Sequence, residues 1–269
     1  MTVTFIAHSA FLVEWDKFYT LFDYTYEPDY TGALPALKPD KPLLVFASHS
    51  HEDHFDAKVF TLLEKYPDAR FFVSRDTRLT ERKRQWLNIS DAAFARTTVL
   101  RPDSILLTDV AGEDMSIRAI KSTDIGNAYL LRCEGKMVYH GGDLNWWDWK
   151  SEGEAYCNNM AAHYRTAIEK LASAVENEAT DNAIAPEITA DELLLRLGLE
   201  KELAPLDPRL GEGSEGLGIE YLLKNVAVRH VFPMHMWKKY EVIDRYVAAH
   251  PDEKGIIARI TRDGQQFEI

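Results

Sequence analysis

The chain has 269 residues, 46% hydrophobic and 28% charged, with a net charge of −12, the profile of a soluble globular protein able to bury a full core. That acidic balance argues against a general nucleic-acid binder, whose affinity comes from clustered Lys and Arg, and against docking on an anionic membrane, though a local basic pocket stays compatible with it. Cys133 and Cys157 form no CxxC pair and no disulfide framework, no signal-peptide pattern opens MTVTFIAHSAFLVEWDK, and no run approaches the ~18 apolar residues that span a bilayer, so a cytoplasmic protein is expected.

In chain order, TVTFIAHSAFLVEW and KFYTLFDYTY are rich in β-branched and aromatic residues and sit as a hairpin would. After a polar, Pro-containing stretch, LLVFAS reads as a buried strand, DAKVFTLLEKYP as a helix ended by Pro67, RFFVS as a strand and DTRLTERKRQWL as a helix. Strands return at TTVLR, SILLT, MSIRAI, AYLLRC and KMVYHGG. AYCNNMAAHYRTAIEKLASAV carries apolar residues at helical spacing and should pack one face on the body. The stretch from Glu176 to Gly216 begins acidic and weakly apolar; Thr189 and Glu192 have capping-box spacing, so a helical insertion around 175–205, or a flap, is expected. HVFPMHMW reads as a short strand and YEVIDRYVAAH as a helix. GIIARITRDGQQFEI reads as a closing hairpin turning at Asp263-Gly264. The sum is an α+β chain, residues 1–269 as a single domain with two sheets and helices outside.

FASHSHEDHFDA, residues 46–57, packs His49, His51, Asp53 and His54 directly behind an apolar strand. Alternate residues of an extended segment point the same way, so His49 and His51 can share one cation through neutral imidazole nitrogens, at roughly 2.0–2.1 Å for zinc. Asp53 and His54 follow the end of the strand and can face a second cation; two cations roughly 3.5–4 Å apart would clamp a water. The bland alternative is a solvated polar loop. A catalytic zinc usually takes about three protein ligands, so more should come from later strand ends. Asp143, after a strand and two glycines, can bridge both metals or merely cap a turn; His235, ending another apolar strand, is a ligand or a half-buried core histidine.

The HSHEDH stretch, the later GGD and the isolated His235, in this order over nearly the whole chain, resemble the metallo-β-lactamase superfamily. The opening HSAF (His8 to Phe11) and LFDY (Asp23) are most similar to its ascorbate-lactonase-like and phosphodiesterase-like metal-dependent hydrolases. The resemblance implies a four-layer αββα sandwich with the metals at one edge, His49 and His51 on the first metal, Asp53, His54 and His235 on the second, and Asp143 bridging. The superfamily usually supplies a further histidine to the first metal between the motif and the bridging acid. MSIRAIKSTDIGNAYL, the matching region, has none. Asp124 stands there: it replaces that histidine, directly or through a water, or Thr123-Asp124 shape a turn. His140, three residues before Asp143, should point to the opposite strand face. Zinc is the first expectation for two divalent metals, with manganese or iron also suited to two nitrogens plus extra carboxylate.

Asp23 is the candidate to orient the imidazoles from behind, and His8 to line the pocket. Trp146, in NWWDW, is a candidate pocket wall or helix anchor. Arg209, in LDPR, can bind an anionic substrate or pair on the surface. No P-loop, GxSxG or GxGxxG pattern appears. The expected activity is a metal-dependent hydrolase in which Asp53 orients a metal-bound hydroxide that attacks an ester, lactone or phosphodiester of a small molecule. The alternative is a non-hydrolytic metal-binding protein, a sensor or a redox di-iron protein. Expected partners are a small-molecule substrate, with a second copy of the chain as a further candidate, and without nucleic acid or membrane.

Overall fold

Strand faces explain the layering. In β4 (Leu43–Ala47), Leu44 and Phe46 point one way and Leu43, Val45 and Ala47 the other, and all five are buried. In β9 (Asn127–Cys133), Tyr129, Leu131 and Cys133 join the first of these clusters while Ala128 and Leu130 enter a third. Strands apolar on both faces need cover on both faces. The computed structural model, which describes residues 1–180 and 199–268, provides it as two sheets stacked face to face with helices outside each.

The first sheet has seven strands in the order β13 (Gln265–Glu268), β1 (Thr2–Ala7), β2 (Ala10–Glu14), β3 (Tyr19–Phe22), β4, β5 (Arg70–Ser74) and β6 (Thr97–Leu100). The second has six, in the order β12 (Val231–Met234), β11 (Lys201–Pro205), β10 (Lys136–His140), β9, β8 (Glu113–Lys121) and β7 (Ile105–Val110). Phe5, Phe11, Phe22, Phe46 and Phe72 of one sheet meet Ile117, Tyr129, Leu131, Leu203 and Phe232 of the other in the central core. The short helices α1 (Leu62–Lys65), α2 (Glu81–Trp86) and α3 (Asp91–Ala95) lie in the segments covering the first sheet. The long α4 (Glu154–Thr180) and α5 (Leu217–Asn225) cover the second. α6 (Glu241–Ala249) sends Val242, Ile243, Tyr246 and Val247 into the central cluster. No helix among the described residues is long and apolar enough to cross a membrane.

The ladders fix strand direction. β1, β3, β4 and β5 run parallel to one another, because β2 is antiparallel to both β1 and β3 and the later pairs are parallel. β8, β10, β11 and β12 likewise share one direction. Their C-terminal ends meet at one edge of the sandwich, where Asn127 N–H donates to Ser48 O at 2.9 Å and His235 N–H to His8 O at 3.1 Å, tying the sheets together.

Three sequence expectations change. DAKVFTLLEKYP gives a 3₁₀ turn, Ala57–Thr61, and one α-helical turn rather than a full helix. Residues 255–260 form no hairpin: Ile257 makes a single bridge to Val231 of the second sheet, while β13 pairs with β1 of the first, so the turn at Asp263-Gly264 carries the chain between sheets. Of the expected helical insertion of 175–205, residues 175–180 are the end of α4, residues 181–198 lie outside the described residues, and residues 201–205 are β11, an interior strand. KELAP conceals this because Lys201 and Glu202 look solvated; both are fully buried, Lys201 with its ammonium 2.8 Å from His230 Nδ1. The capping box at Thr189 and Glu192 lies outside the described residues.

Glu202 is the costly member. Neither carboxyl oxygen has a hydrogen-bond partner among the described residues, and burial, then the charge of Glu253, push its pKa well above the usual carboxylate range. A raised folded-state pKa means the proton stabilises the fold. That stability is complete below about pH 4, near the unfolded pKa, and is lost as pH rises toward the folded value. Glu202→Gln is therefore expected to raise Tm at pH 8 by a few degrees, for about 1–3 kcal/mol, with the gain vanishing toward pH 4 in pH-resolved thermal melts.

Candidate metal centre

Each chemistry-bearing residue follows the C-terminal end of one of these co-directional strands. His8 follows β1, Asp23 follows β3, the His49–His54 cluster follows β4, Asp124 follows β8, Asp143 follows β10, Asp207 follows β11 and His235 follows β12. His8, Asp23 and His235 adopt left-handed backbone conformations, with φ of 50°, 45° and 64°. Such geometry costs about 1–3 kcal/mol per non-glycine residue and tends to gather at functional sites.

Two groups of side chains could each hold a metal ion: His8, Asp53, His54 and His235 in one, His49, His51, Asp124 and Asp143 in the other, the ligand atoms of each group lying within 4.8 Å of one another. Asp143 joins the groups. Its Oδ1 lies 3.1 Å from His54 Nε2 and 3.5 Å from His235 Nε2, and its Oδ2 lies 3.6 Å from His49 Nε2. Asp53 Oδ2 is 3.5 Å from both His54 Nε2 and His235 Nε2. Asp124 Oδ2 is 3.6 Å from His51 Nδ1.

The inner ring nitrogens are anchored. Asp23 takes His54 Nδ1 at 2.7 Å, Asp207 takes His235 Nδ1 at 2.9 Å, and the Ser48 hydroxyl lies 2.9 Å from His49 Nδ1. Each anchor turns the Nε2 lone pair into the site and makes the ring a better donor. Asp23 also accepts from Ser48 N–H and Ser48 O–H, both at 2.7 Å. Gly142, with φ of 51°, leaves room for this: a Cβ there would sit 2.6 Å from Ser48 Cβ.

Charge and geometry both call for a cation. Burial opposes a proton on His54 and His235, yet Asp143 first and the anchoring acids after it raise His54 well above the usual imidazole range and His235 to about 9. Burial raises Asp53 and Asp143, but the surrounding imidazoles hold both well below the usual carboxylate range. At His8 and His49 burial prevails and the pKa falls to about 4. Despite the short separations, His54 Nε2, His235 Nε2 and Asp143 Oδ1 are buried without a hydrogen-bond partner among the described residues. Buried polar atoms seldom stay unpaired. Three such atoms facing one point suit a metal ion better than they suit one another.

The profile of the beta-lactamase superfamily domain matches residues 2–148, more than half of the chain. The chain belongs to the beta-lactamase superfamily. Among curated proteins, none matches this sequence. Solved structures share the superfamily fold. A metallo hydrolase from the hyperthermophilic archaeon Ignicoccus hospitalis is 18% identical over 100% of this chain and 98% of that one, with a TM-score of 0.55. A possible metal-dependent hydrolase from Veillonella parvula is 13% identical over 100% and 99%, with a TM-score of 0.55. CmlA, a diiron β-hydroxylase from Streptomyces venezuelae, is 8% identical over 100% of this chain but 54% of its own, with a TM-score of 0.56. At such identities the likeness concerns the fold.

Within this superfamily chain, all six residues of the expected ligand set converge, and Asp124 lies beside them, grouped with His49, His51 and Asp143. His8 comes closer than a pocket lining: its Nε2 is 3.2 Å from Asp53 Oδ2 and its ring packs on His235 with centroids 4.3 Å apart. His140 stays outside both groups, as strand alternation requires. It is stacked on Phe22, its Nε2 lies 3.2 Å from Ser9 O, and its Nδ1 accepts from Gly142 N–H. Trp146 is no part of the pocket wall; it packs on Tyr164 and Tyr221 beneath α4, with Arg165 over its ring. Its neighbours Trp147 and Trp149 line the cavity instead, with Trp237 and Tyr30. Sequence reasoning missed Asp207 as an anchor, although it directly precedes the singled-out Pro208-Arg209. An acid directly after an apolar segment, the pattern shared by Asp23 and Asp143, was the available signal.

Asp23→Ala is expected to cost about 3–5 kcal/mol in chemical denaturation, because it strands His54 and the Ser48 donors in the interior. Asp207→Ala is expected to weaken divalent-metal retention about 10–100-fold in chelator competition, through its loss of hold on His235.

Proposed function

We propose that the chain is a metal-dependent hydrolase acting on an ester, lactone or phosphodiester of a small molecule. The observation that carries this reading is Asp143, whose two oxygens face two different histidine groups. A carboxylate so placed would be shared by two cations. His49, His51 and Asp124 would hold one cation. Asp53, His54 and His235 would hold the other, with His8 against Asp53. Divalent cations there, zinc first, would supply Lewis-acid polarisation of a substrate oxygen and acidify a water near neutral pH.

The chain's own residues do the rest. Asp53 lines the open cavity, and the imidazoles around it keep it a carboxylate, so it accepts a hydrogen bond from the attacking water and aims it. Asp23, Ser48 and Asp207 hold the imidazoles still from behind. Trp147 and Trp149, stacked with ring centroids 6.0 Å apart, and Trp237 wall the cavity and limit water around the reacting centre.

One observation favours the second reading, a non-hydrolytic metal-binding or redox di-iron protein: with Asp124 the His49 group offers two nitrogens and two carboxylates, a set that suits iron or manganese as well as zinc.

Asp53→Ala and His54→Ala are each expected to lower turnover by about a hundredfold or more with circular dichroism unchanged. The panel is acyl-homoserine lactones, sugar lactones, bis-p-nitrophenyl phosphate and small thioesters. Activity retained in either variant overturns the mechanism. Two equivalents of iron in the purified protein, with no turnover on the panel, would select the second reading.

A further inference from the structure

The cavity over the two groups has a volume of about 710 Å³, and Arg209 is the one Lys or Arg among its lining residues. Arg209 is held on three sides. Its chain N–H donates to Asp207 Oδ1 at 2.8 Å, Nε lies 3.0 Å from both Asp207 oxygens, and Nη2 donates to Oδ2 at 2.5 Å. The guanidinium carbon stands 4.1 Å from the Trp237 ring centre and 5.5 Å from that of Trp149. Trp237 Nε1 donates to the same Asp207 Oδ2, at 3.3 Å.

One edge of the guanidinium is therefore engaged, and two indole rings lie beside it. Nη1 has no hydrogen-bond partner among the described residues, on a side chain 40% exposed. A fork fixed in this way has little rotamer freedom left to lose on meeting a ligand, and its free edge matches the geometry of a carboxylate or phosphate. Asp207 Oδ2 also holds His235 Nδ1 at 2.9 Å, so one carboxylate sets the position of the guanidinium relative to the metal group. An arginine needed only to neutralise Asp207 would not have to sit in the wall of the cavity beside two tryptophans.

We propose that Arg209 is the receptor for an anionic group, a carboxylate or a phosphate, carried on the body of the substrate. The hydrolase would then act on small anionic esters, lactones or phosphodiesters with a flat or apolar portion that lies against Trp149 and Trp237. The substrate part of this inference rests on the hydrolase reading; the anion receptor does not.

The indoles that flank Arg209 supply a readout independent of turnover. The full-length zinc-loaded protein is titrated with benzoate, phenyl phosphate and neutral benzamide, following tryptophan fluorescence. Wild type is expected to bind one or both anions more tightly than benzamide, and the preferred anion identifies the group. Arg209→Met is expected to lose about tenfold or more in affinity for the anions and to leave benzamide unchanged. Arg209→Gln, which can still donate to Asp207, should lose anion affinity similarly. It keeps the test valid if the methionine variant loses metal, which is measured for each. Equal anion affinity in wild type and Arg209→Gln would mean that the anions bind elsewhere and overturns the proposal. In kinetics, the expected signature is a rise in KM for esters or lactones that carry a carboxylate or phosphate away from the reacting bond, with KM for the neutral panel members unchanged. No turnover by wild type on any member counts against the hydrolase reading, while the fluorescence result still decides the receptor.

Discussion

The carboxylate of Asp23 takes hydrogen bonds from the Ser48 amide, the Ser48 hydroxyl and His54 Nδ1, all at 2.7 Å, in an interior with almost no solvent. Burial alone would drive this acid to its neutral form; the imidazoles of His140 and His54 reverse that, and its pKa lies below the usual range. The charge is thereby made part of the architecture. It fixes the point at which β4 stops being a strand, and so the direction in which each residue of the histidine cluster leaves the sheet. Ser48 passes the constraint on, since the hydroxyl that meets Asp23 also lies beside His49 Nδ1. A single acid on β3's exit loop thus orients a donor of each metal group.

Backbone packing supports the same point. Gly126 and Gly142 both press on Ser48-His49: a Cβ at Gly126 would fall 2.3 Å from Ser48 O, and one at Gly142 2.6 Å from Ser48 Cβ. They come from the second sheet's exit loops, next to Asp124 and Asp143. The glycines therefore set how closely the acids of one sheet approach the histidines of the other. Strand direction makes this possible, because the co-directional strands of both sheets deliver their C-terminal ends to one edge.

Much of this could be read along the chain. HSHEDH after an apolar strand is dense enough to stand out locally, and GGD and His235 repeat the pattern of polar residues after an apolar strand. The region without a histidine was legible too, and the structure brings its Asp124 to within 3.6 Å of His51 Nδ1. What stayed hidden depends on contacts distant in sequence. Lys201 and Glu202 disguise β11 because their burial is decided by neighbouring strands and covering helices, not by their own polarity. Asp207 gains meaning only when β12 lays His235 beside it. Trp146, Trp147 and Trp149 are alike as letters; the turn after Asp143 alone sends one under α4 and two toward the cavity.

The two groups of candidate metal ligands are built unequally. In the group of His54 and His235 the imidazole side chains are 0% and 2% exposed, each is anchored by a buried carboxylate, and the inward atoms have no competing partner. In the other, His51 is 49% and Asp124 40% exposed, and His49 Nε2 lies 3.0 Å from His51 Nδ1, within reach of a hydrogen bond that a cation must displace. Anchored, desolvated imidazoles hold a cation more tightly than mobile, hydrated ones, because less ordering and less dehydration remain to be done on binding. The inner position is thus the one the fold enforces. The outer group, which opens to the cavity and offers two imidazoles and two carboxylates, is the one where, on the proposed function, solvent, substrate and the choice of cation would have their influence. Its exposure follows from the place of His51 and Asp124 in the cavity wall, where no covering element among the described residues desolvates them.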